Sequence, residues 1–434
     1  MPPRSKFKGL VEVHLWGRQV GAAAWDDAGF AVFEYAKDFA ATGLPIAPLM
    51  MPLSASRFQF RALSRSEDFQ GLPGMLADAL PDKWGNLLIR RWLADQGREL
   101  GKVSPVERLC FVADRAMGAL EFKPAASPKA KDVRLHVDEL LDLSQRILMA
   151  KEGQAARLSA KEKDALAQVI LVGSSVGGNR AKALIAWDPK TDVIRAGDIP
   201  QPANFEPWII KFDETGAGDG AQPKGYGRIE YAYYLMAKAA GITMADCRLW
   251  EENGRAHFMT KRFDRVGTSA KKLHYQSLSA LAHLDRHQGP HSYEDAFRVL
   301  RQLRAPANEG TELFRRTVFN VAARNQDDHT KNFGYLMDEA GRWHLAPAFD
   351  VTWAYNPAGE WTRRHQLSLR GKTSEITRED LLEFAKRQDV RQGAKIIDQV
   401  LDAVSQWPKF AAQAGVSEAR ITAIEKYLGH AELA

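Results

Sequence analysis

The apolar pattern of this 434-residue chain changes its period along the sequence, and that change limits the fold more than any other feature. Near the start, Val11, Val13 and Leu15 alternate with Glu12, His14 and Trp16, the period of two that a half-buried strand requires. Phe30–Tyr35 and Phe58–Leu63 read as further strands, and Gly118–Phe122 as a closing one. Leu80-Pro81-Asp82 announces a helix running through Trp84, Leu87, Leu88 and Trp92, with Pro81 expected in the first turn, where its missing N–H costs nothing. From Lys123 to Arg134 the chain is polar, proline-bearing and aperiodic, as a linker is. Beyond Phe263 the periodicity is mostly helical, near 292–304, 311–323, 377–388, 392–406 and 417–428, and Thr377-Arg378-Glu379-Asp380 opens one of these with a capping pattern.

Between these regions, Val137–Met149 reads as a helix, and Ser159-Ala160-Lys161-Glu162 is a capping-box pattern opening another. A glycine-serine turn at 173–178 precedes strands at Lys182–Trp187, near Val193 and at Trp208–Phe212, which predict a small antiparallel sheet. A helix over Arg228–Ala240 follows, with Gly241 placed to end it. The expected division is a β-rich module at 1–125, a small mixed lobe at 126–263 carrying a glycine loop and a lysine strand, and a helical lobe at 264–434. The fold class is α+β.

Composition narrows the function classes. With 45% hydrophobic and 26% charged residues the chain is neither disordered nor fibrous. Sixty Lys and Arg against 54 Asp and Glu give +6, a mild basic bias that suits acidic partners or nucleic acid without proving either. Cys110 and Cys247 lie far apart, which excludes a disulfide scaffold or a cysteine-built zinc site and suits a reducing compartment. There is no apolar signal stretch at the N-terminus and no run approaching the ~18 apolar residues of a membrane span. A cytoplasmic protein with no membrane partner is expected.

Arg324-Asn325-Gln326-Asp327-Asp328-His329-Thr330-Lys331-Asn332 is the most informative cluster. Asp327 and Asn332 have the D-x-x-x-x-N spacing of a phosphotransferase catalytic loop, in which the Asp takes the proton of an attacking hydroxyl and the Asn holds Mg²⁺. Taken alone, the spacing also suits an ordinary polar loop. Asp350 ends the largely apolar Leu345–Phe349 stretch, where a second metal-binding carboxylate would stand; alone, such an Asp is more often a turn residue. Lys211 ends the apolar Trp208-Ile209-Ile210 run, as a nucleotide-phosphate lysine would, or as an edge lysine reaching water. Glu230 on the next helix could pair with it or be solvated. The loop from Gly173 to Lys182, with Gly177 and Gly178, could bring backbone N–H groups to phosphates, although it is neither a Walker A loop nor G-x-G-x-x-G. His283, His287 and His291 recur every four residues, but Gly289-Pro290 breaks any helix that could align them on a metal.

The order of these parts resembles that of HipA-type serine/threonine kinases, the toxin half of bacterial toxin-antitoxin pairs. The resemblance is carried by Leu72-Pro73-Gly74, by Asp78 to Gly85, by Ser175-Val176-Gly177-Gly178 with Lys182, and by Ile209-Ile210-Lys211. Glu230 with Tyr231, Arg262-Phe263-Asp264-Arg265, the Asp327–Asn332 loop and Phe349-Asp350 complete it. It implies a two-lobed protein-kinase-like domain with an added N-terminal β-rich module, using ATP and Mg²⁺. Asp327 would be the catalytic base, Asn332 and Asp350 the metal ligands, and Lys211 the phosphate lysine. Lys261, Arg262 and Phe263 would form the hinge whose backbone meets adenine, with His329 and Lys331 in the nucleotide site and Ser175 the autophosphorylated serine that shuts the kinase off. The family's targets imply an aminoacyl-tRNA synthetase as substrate, a helix-turn-helix antitoxin as partner, operator DNA bound mainly through that antitoxin, and a role in drug-tolerant growth arrest. One departure is Asp328, where the family commonly has glycine. The alternatives are an antitoxin-docked co-repressor with little kinase activity and a small-molecule phosphotransferase.

Overall fold

Val11, Val13 and Leu15 are buried along β1 (Leu10–Leu15), as their alternation requires. The computed structural model describes residues 9–126, 135–142, 180–197, 201–213, 224–267, 271–429 and 433. These form two compact units: Met1–Phe212 with Asp264–Tyr275, and Asp213–Phe263 with Gln276–Ala434.

In the first unit β1 lies between β2 (Arg18–Asp26) and β5 (Leu120–Lys123), with β3 (Phe30–Tyr35) and β4 (Phe58–Gln59) beyond β2 in an antiparallel five-stranded sheet. The sequence pattern misses β2, because its Gly21-Ala22-Ala23-Ala24 centre has little strand propensity. That smallness is needed: a Cβ on Gly21 would meet the carbonyl oxygen of Glu34 at 2.2 Å. The expected strand over Phe58–Leu63 stops after Gln59 and becomes a 3₁₀ turn at Arg61–Arg65, where the Leu63 carbonyl accepts from Ser66 and Gly71. Two short helices flank that turn, α1 (Lys37–Ala40) before it and α2 (Gly74–Ala77) after it. Helix α3 (Lys83–Asp95) starts two residues later than the proline suggests: Asp82 is the N-cap, accepting from Gly85 N at 2.7 Å, and Pro81 precedes the cap. Helix α4 (Pro105–Val112) opens with a Ser104–Glu107 capping box and packs on the sheet. The same unit holds the antiparallel order β7 (Val193–Ala196), β6 (Lys182–Asp188), β8 (Glu206–Lys211). Residues 137–142 are helical; the rest of the two expected helices and the glycine loop with Ser175, Gly177 and Gly178 lie outside the described residues.

In the second unit α5 (Tyr226–Ala239) packs on the hairpin of β9 (Cys247–Glu252) and β10 (Arg255–Lys261). Gly227 makes this approach close, since a Cβ there would lie 2.2 Å from the Ala256 carbonyl oxygen. Gly241, at φ +80°, ends the helix as expected. Strand β11 (His274–Ser277) runs from the first unit into the second, followed by α6 (Leu278–Ala282), β12 (His291–Ser292), α7 (Tyr293–Gln302) and α8 (Asn308–Ala322). The hairpin β13 (Gly334–Met337) and β14 (Trp343–Leu345) comes next, then β15 (Leu367–Ser368), which pairs in parallel with β12. The chain closes with α9 (Arg378–Arg387), α10 (Gly393–Ser405), α11 (Trp407–Gln413) and α12 (Glu418–Glu425). Thr377 caps α9 in a box with Asp380, as its pattern predicts. Among the described residues, no helix is long and apolar enough to cross a membrane.

Candidate active site

Helix α8 ends at Ala322 with Ala323 as its C-cap, and Arg324 at φ +52° turns the chain into the Asn325–Asn332 loop. The loop is tied at both ends. Asn325 N donates to the Asn320 carbonyl at 3.0 Å and its amide donates to Asn320 Oδ1 at 2.9 Å. Thr330 Oγ1 donates to the Leu284 carbonyl at 3.1 Å, and Asn332 Nδ2 donates to the Asp327 carbonyl at 2.6 Å. Spending Nδ2 on the loop leaves Oδ1 as the Asn332 atom suited to a hard cation.

The two adjacent carboxylates have opposite surroundings. Asp327 is 55% exposed, with His329 Nε2 3.9 Å from its Oδ1, and Arg286 Nη1 lies 3.4 Å from that same ring nitrogen. Asp328 is buried. Its Oδ2 accepts from Tyr293 OH at 2.5 Å and faces His365 Nδ1 at 2.8 Å, while Oδ1 accepts from Gln366 N at 2.7 Å. Burial, with the Asp328 charge adding to it, holds the Tyr293 phenol well above its ordinary pKa, so Tyr293 remains a donor. Of the pair, Asp327 is the one with a carboxylate open to an incoming group.

Asp350 follows the β13–β14 hairpin. The strand leading to it is anchored by Arg316 of α8, whose guanidinium donates to the carbonyl of Ala346 at 2.8 Å and to Glu312 at 2.8 Å. Burial pulls the Arg316 guanidinium below its ordinary pKa, and Glu312 opposes that shift. Ala348 N donates to the Thr243 carbonyl at 2.8 Å, and Asp350 then adopts φ +54°. Phe349, just before it, packs on Phe263 with ring centroids 5.5 Å apart, so the expected hinge and the residues before Asp350 meet. In that hinge, Lys261 N already donates to the Asp246 carbonyl at 2.8 Å and Arg262 is buried. Glu230 is buried on α5, one turn beyond Gly227, and Lys331 is half-buried.

In the first unit Lys182 and Lys211 stand directly opposite each other on β6 and β8, which puts two ammonium groups on one face. Lys182 is 2% exposed and its Nζ lies 3.3 Å from Asp82 Oδ2, while Trp84 Nε1 donates to its carbonyl at 3.2 Å. Burial raises the Asp82 pKa, and the charge of Lys182 opposes that rise. Lys182 therefore has a structural partner, and Asp82 offsets the like-charge pairing with Lys211. Asp264 of the Arg-Phe-Asp-Arg motif is also structural: fully buried, it accepts from Gly118 N at 2.6 Å and from Arg265 at 2.7 Å. Gly118 sits at φ +83° with Tyr275 N only 2.7 Å from where a Cβ would be, so no other residue fits there. Tyr293, Arg316 and His365 were not singled out by the sequence, where nothing marks them except the i, i+4 spacing of Glu312 and Arg316.

The HipA-like C-terminal domain profile matches residues 174–407, more than half of the chain, and the HipA N-terminal domain profile matches residues 11–123. The chain belongs to the HipA family. The N-terminal match runs from β1 to β5. The kinase-named protein Y4mE of Sinorhizobium fredii (strain NBRC 101917 / NGR234) is 25% identical to this HipA-family chain over 203 residues, 43% of this chain and 48% of Y4mE. The match thus spans about half the length of that relative. The solved complex of the Shewanella oneidensis MR-1 toxin-antitoxin system HipA, HipB and its operator DNA contains a chain that aligns with 97% of this one, over 95% of its own length, at a TM-score of 0.65 and 16% identity. That likeness is one of fold: α+β, with a β-rich N-terminal module and a larger C-terminal domain. The Helicobacter pylori proinflammatory kinase CtkA aligns with 50% of this chain and 92% of its own at a TM-score of 0.31 and 14% identity, too low to mark a shared fold.

Proposed function

We propose that this HipA-family chain is an ATP-dependent serine/threonine protein kinase and the toxin of a toxin-antitoxin pair. The observation that supports this most is the Asp327–Asn332 loop, in which one carboxylate is exposed, its neighbour is sequestered, and Asn332 braces the carbonyl of the exposed residue. Bound ATP would supply the phosphoryl group, and Mg²⁺ would offset the charge on its phosphates. Asp327 accepts the proton of the attacking serine or threonine hydroxyl. Asn332 Oδ1 and the Asp350 carboxylate are the hard oxygen donors that fit magnesium.

In this reading Lys211 binds the phosphates with Glu230 as its partner, while Lys182 contributes through its place after the glycine loop of Gly177 and Gly178. The backbone of Lys261, Arg262 and Phe263 meets adenine, and His329 and Lys331 border the nucleotide. The substrate is a translation component, an aminoacyl-tRNA synthetase. Autophosphorylation at Ser175 silences the kinase, because a phosphate of about −1.5 to −2 charge is repelled from a loop that cradles the nucleotide's phosphates. A helix-turn-helix antitoxin binds the chain and carries it to operator DNA.

Purified chain incubated with ATP, Mg²⁺ and a panel of aminoacyl-tRNA synthetases tests the substrate class, with phosphopeptide mass spectrometry as the readout. Phosphate on one synthetase and on Ser175 is expected. Labelled metabolites with no labelled protein would overturn the protein-kinase reading, and phosphate on Ser174 alone would overturn Ser175.

A further inference from the structure

The sequestered carboxylate of Asp328 lies at the centre of a buried polar chain. Asn325, at the start of the catalytic loop, donates to Asn320 Oδ1 at 2.9 Å, and Asn320 Nδ2 contacts Tyr293 OH at 3.3 Å. Tyr293 donates to Asp328, and His365 Nδ1 and Gln366 N reach the same carboxylate from the other side. Asn320, Asn325, Tyr293, Asp328 and His365 are all buried. The donors come from separate parts of the chain: Tyr293 opens α7, while His365 and Gln366 lie just before β15.

Gln366 continues the connection outward, its side-chain amide donating to the carbonyls of Trp361 and Arg364. Trp361 is 55% exposed and meets the His287 ring edge-on, with centroids 5.6 Å apart. Arg363 and Arg364 beside it are exposed. One carboxylate therefore holds the peptide next to Asp327 and the root of an exposed aromatic and basic segment, 361–366.

We infer that Asp328 is a positioning residue that fixes the backbone carrying Asp327 and couples that loop to segment 361–366. This rests on Asp327 being the base. The physical reason is rigidity: three donors converging on one buried acceptor leave the adjoining peptide few alternative orientations, and a base displaced by even ~1 Å loses about 10²-fold in rate. Asn at this position keeps the size but turns one acceptor into a donor facing donors. Gly removes the anchor altogether.

Asp328→Asn, Asp328→Gly and the milder Tyr293→Phe are compared with the unaltered full chain, using steady-state phosphotransfer and backbone amide hydrogen exchange on each. The expected result is a fall in kcat of about 10²-fold for the Asp328 variants and less for Tyr293→Phe, with KM for ATP within about twofold. Amide exchange in 327–332 and 361–366 should accelerate together while α8 stays protected. Unchanged kcat, or acceleration in one segment only, overturns the inference, as does uniform acceleration across the second unit in all three variants. Activity surviving in Asp327→Asn, or absent from the unaltered chain, would instead remove Asp327 as the base. In that event joint acceleration of the two segments still supports the coupling, and its absence overturns it.

Discussion

Asn332 Nδ2 donates a 2.6 Å hydrogen bond to the backbone carbonyl of Asp327, closing the Asp327–Asn332 loop on itself across the D-x-x-x-x-N spacing. That spacing brings the amide back to the peptide of the proposed base, which is why the motif carries geometry as well as chemistry. Asn332→Ala removes both the brace and the proposed metal-binding oxygen; Asn332→Asp keeps an oxygen but sets it against the carbonyl. Both are expected to lower kcat by about 10²-fold or more. Magnesium titration of the rate should show a larger rise in the Mg²⁺ requirement for the Ala variant than for the Asp variant.

The Asp82–Lys182 pair ties the cap of α3 to the first residue of β6. Lys182→Met leaves a buried carboxylate without its cation and should cost about 3–5 kcal/mol. Asp82→Asn should be destabilising in the same direction, and the double variant should recover part of the loss, since the two sites interact directly. Urea denaturation of the three variants measures the cycle.

Arg316 joins α8 to the strand that leads to Asp350. Arg316→Leu gives up the bonds to the Ala346 carbonyl and Glu312 and is expected to cost about 3 kcal/mol. Chemical denaturation followed by tryptophan fluorescence would detect it, and kcat should fall in the residual folded protein because the backbone before Asp350 loses its anchor.

Acid should weaken the first unit through His274. Burial lowers this histidine from its ordinary 6.5 to about 4, with its Nε2 3.0 Å from the Ile46 carbonyl oxygen. The unfolded chain binds the proton more readily, so the contribution to stability is complete above about pH 6.5 and is lost as pH falls toward 4. The loss is about 3 kcal/mol. Burial lowers His283 to about 4 as well, so acid should weaken the second unit in the same direction. Thermal melts from pH 7 to pH 4 should show the decline, and His274→Gln should flatten it.

Much of the fold was legible because burial imposes its period on the sequence. Val11, Val13 and Leu15, the Phe30–Tyr35 strand and the Thr377 cap were all readable in this way. What escaped depends on neighbours rather than on local pattern. The alanine-rich centre of β2 is a strand only because β1 and β3 flank it, and Lys182 is held by an aspartate 100 residues earlier. Helix α11 lies outside the periodic segments of the sequence, and Pro408 stands in its first turn, where the missing N–H costs nothing. At the proposed site, Asp327 and Asn332 stand out by their spacing and Asp350 by its place at the end of an apolar stretch. The role of Asp328 could not, because its partners lie 35 and 37 residues away and no short window contains them.

The most direct test of the account is transfer of the labelled γ-phosphate of ATP to protein by the unaltered chain and by Asp327→Asn. Removing a general base is expected to lower transfer by about 10²–10⁴-fold while leaving ATP binding in place. Transfer by Asp327→Asn at the rate of the unaltered chain would contradict the account.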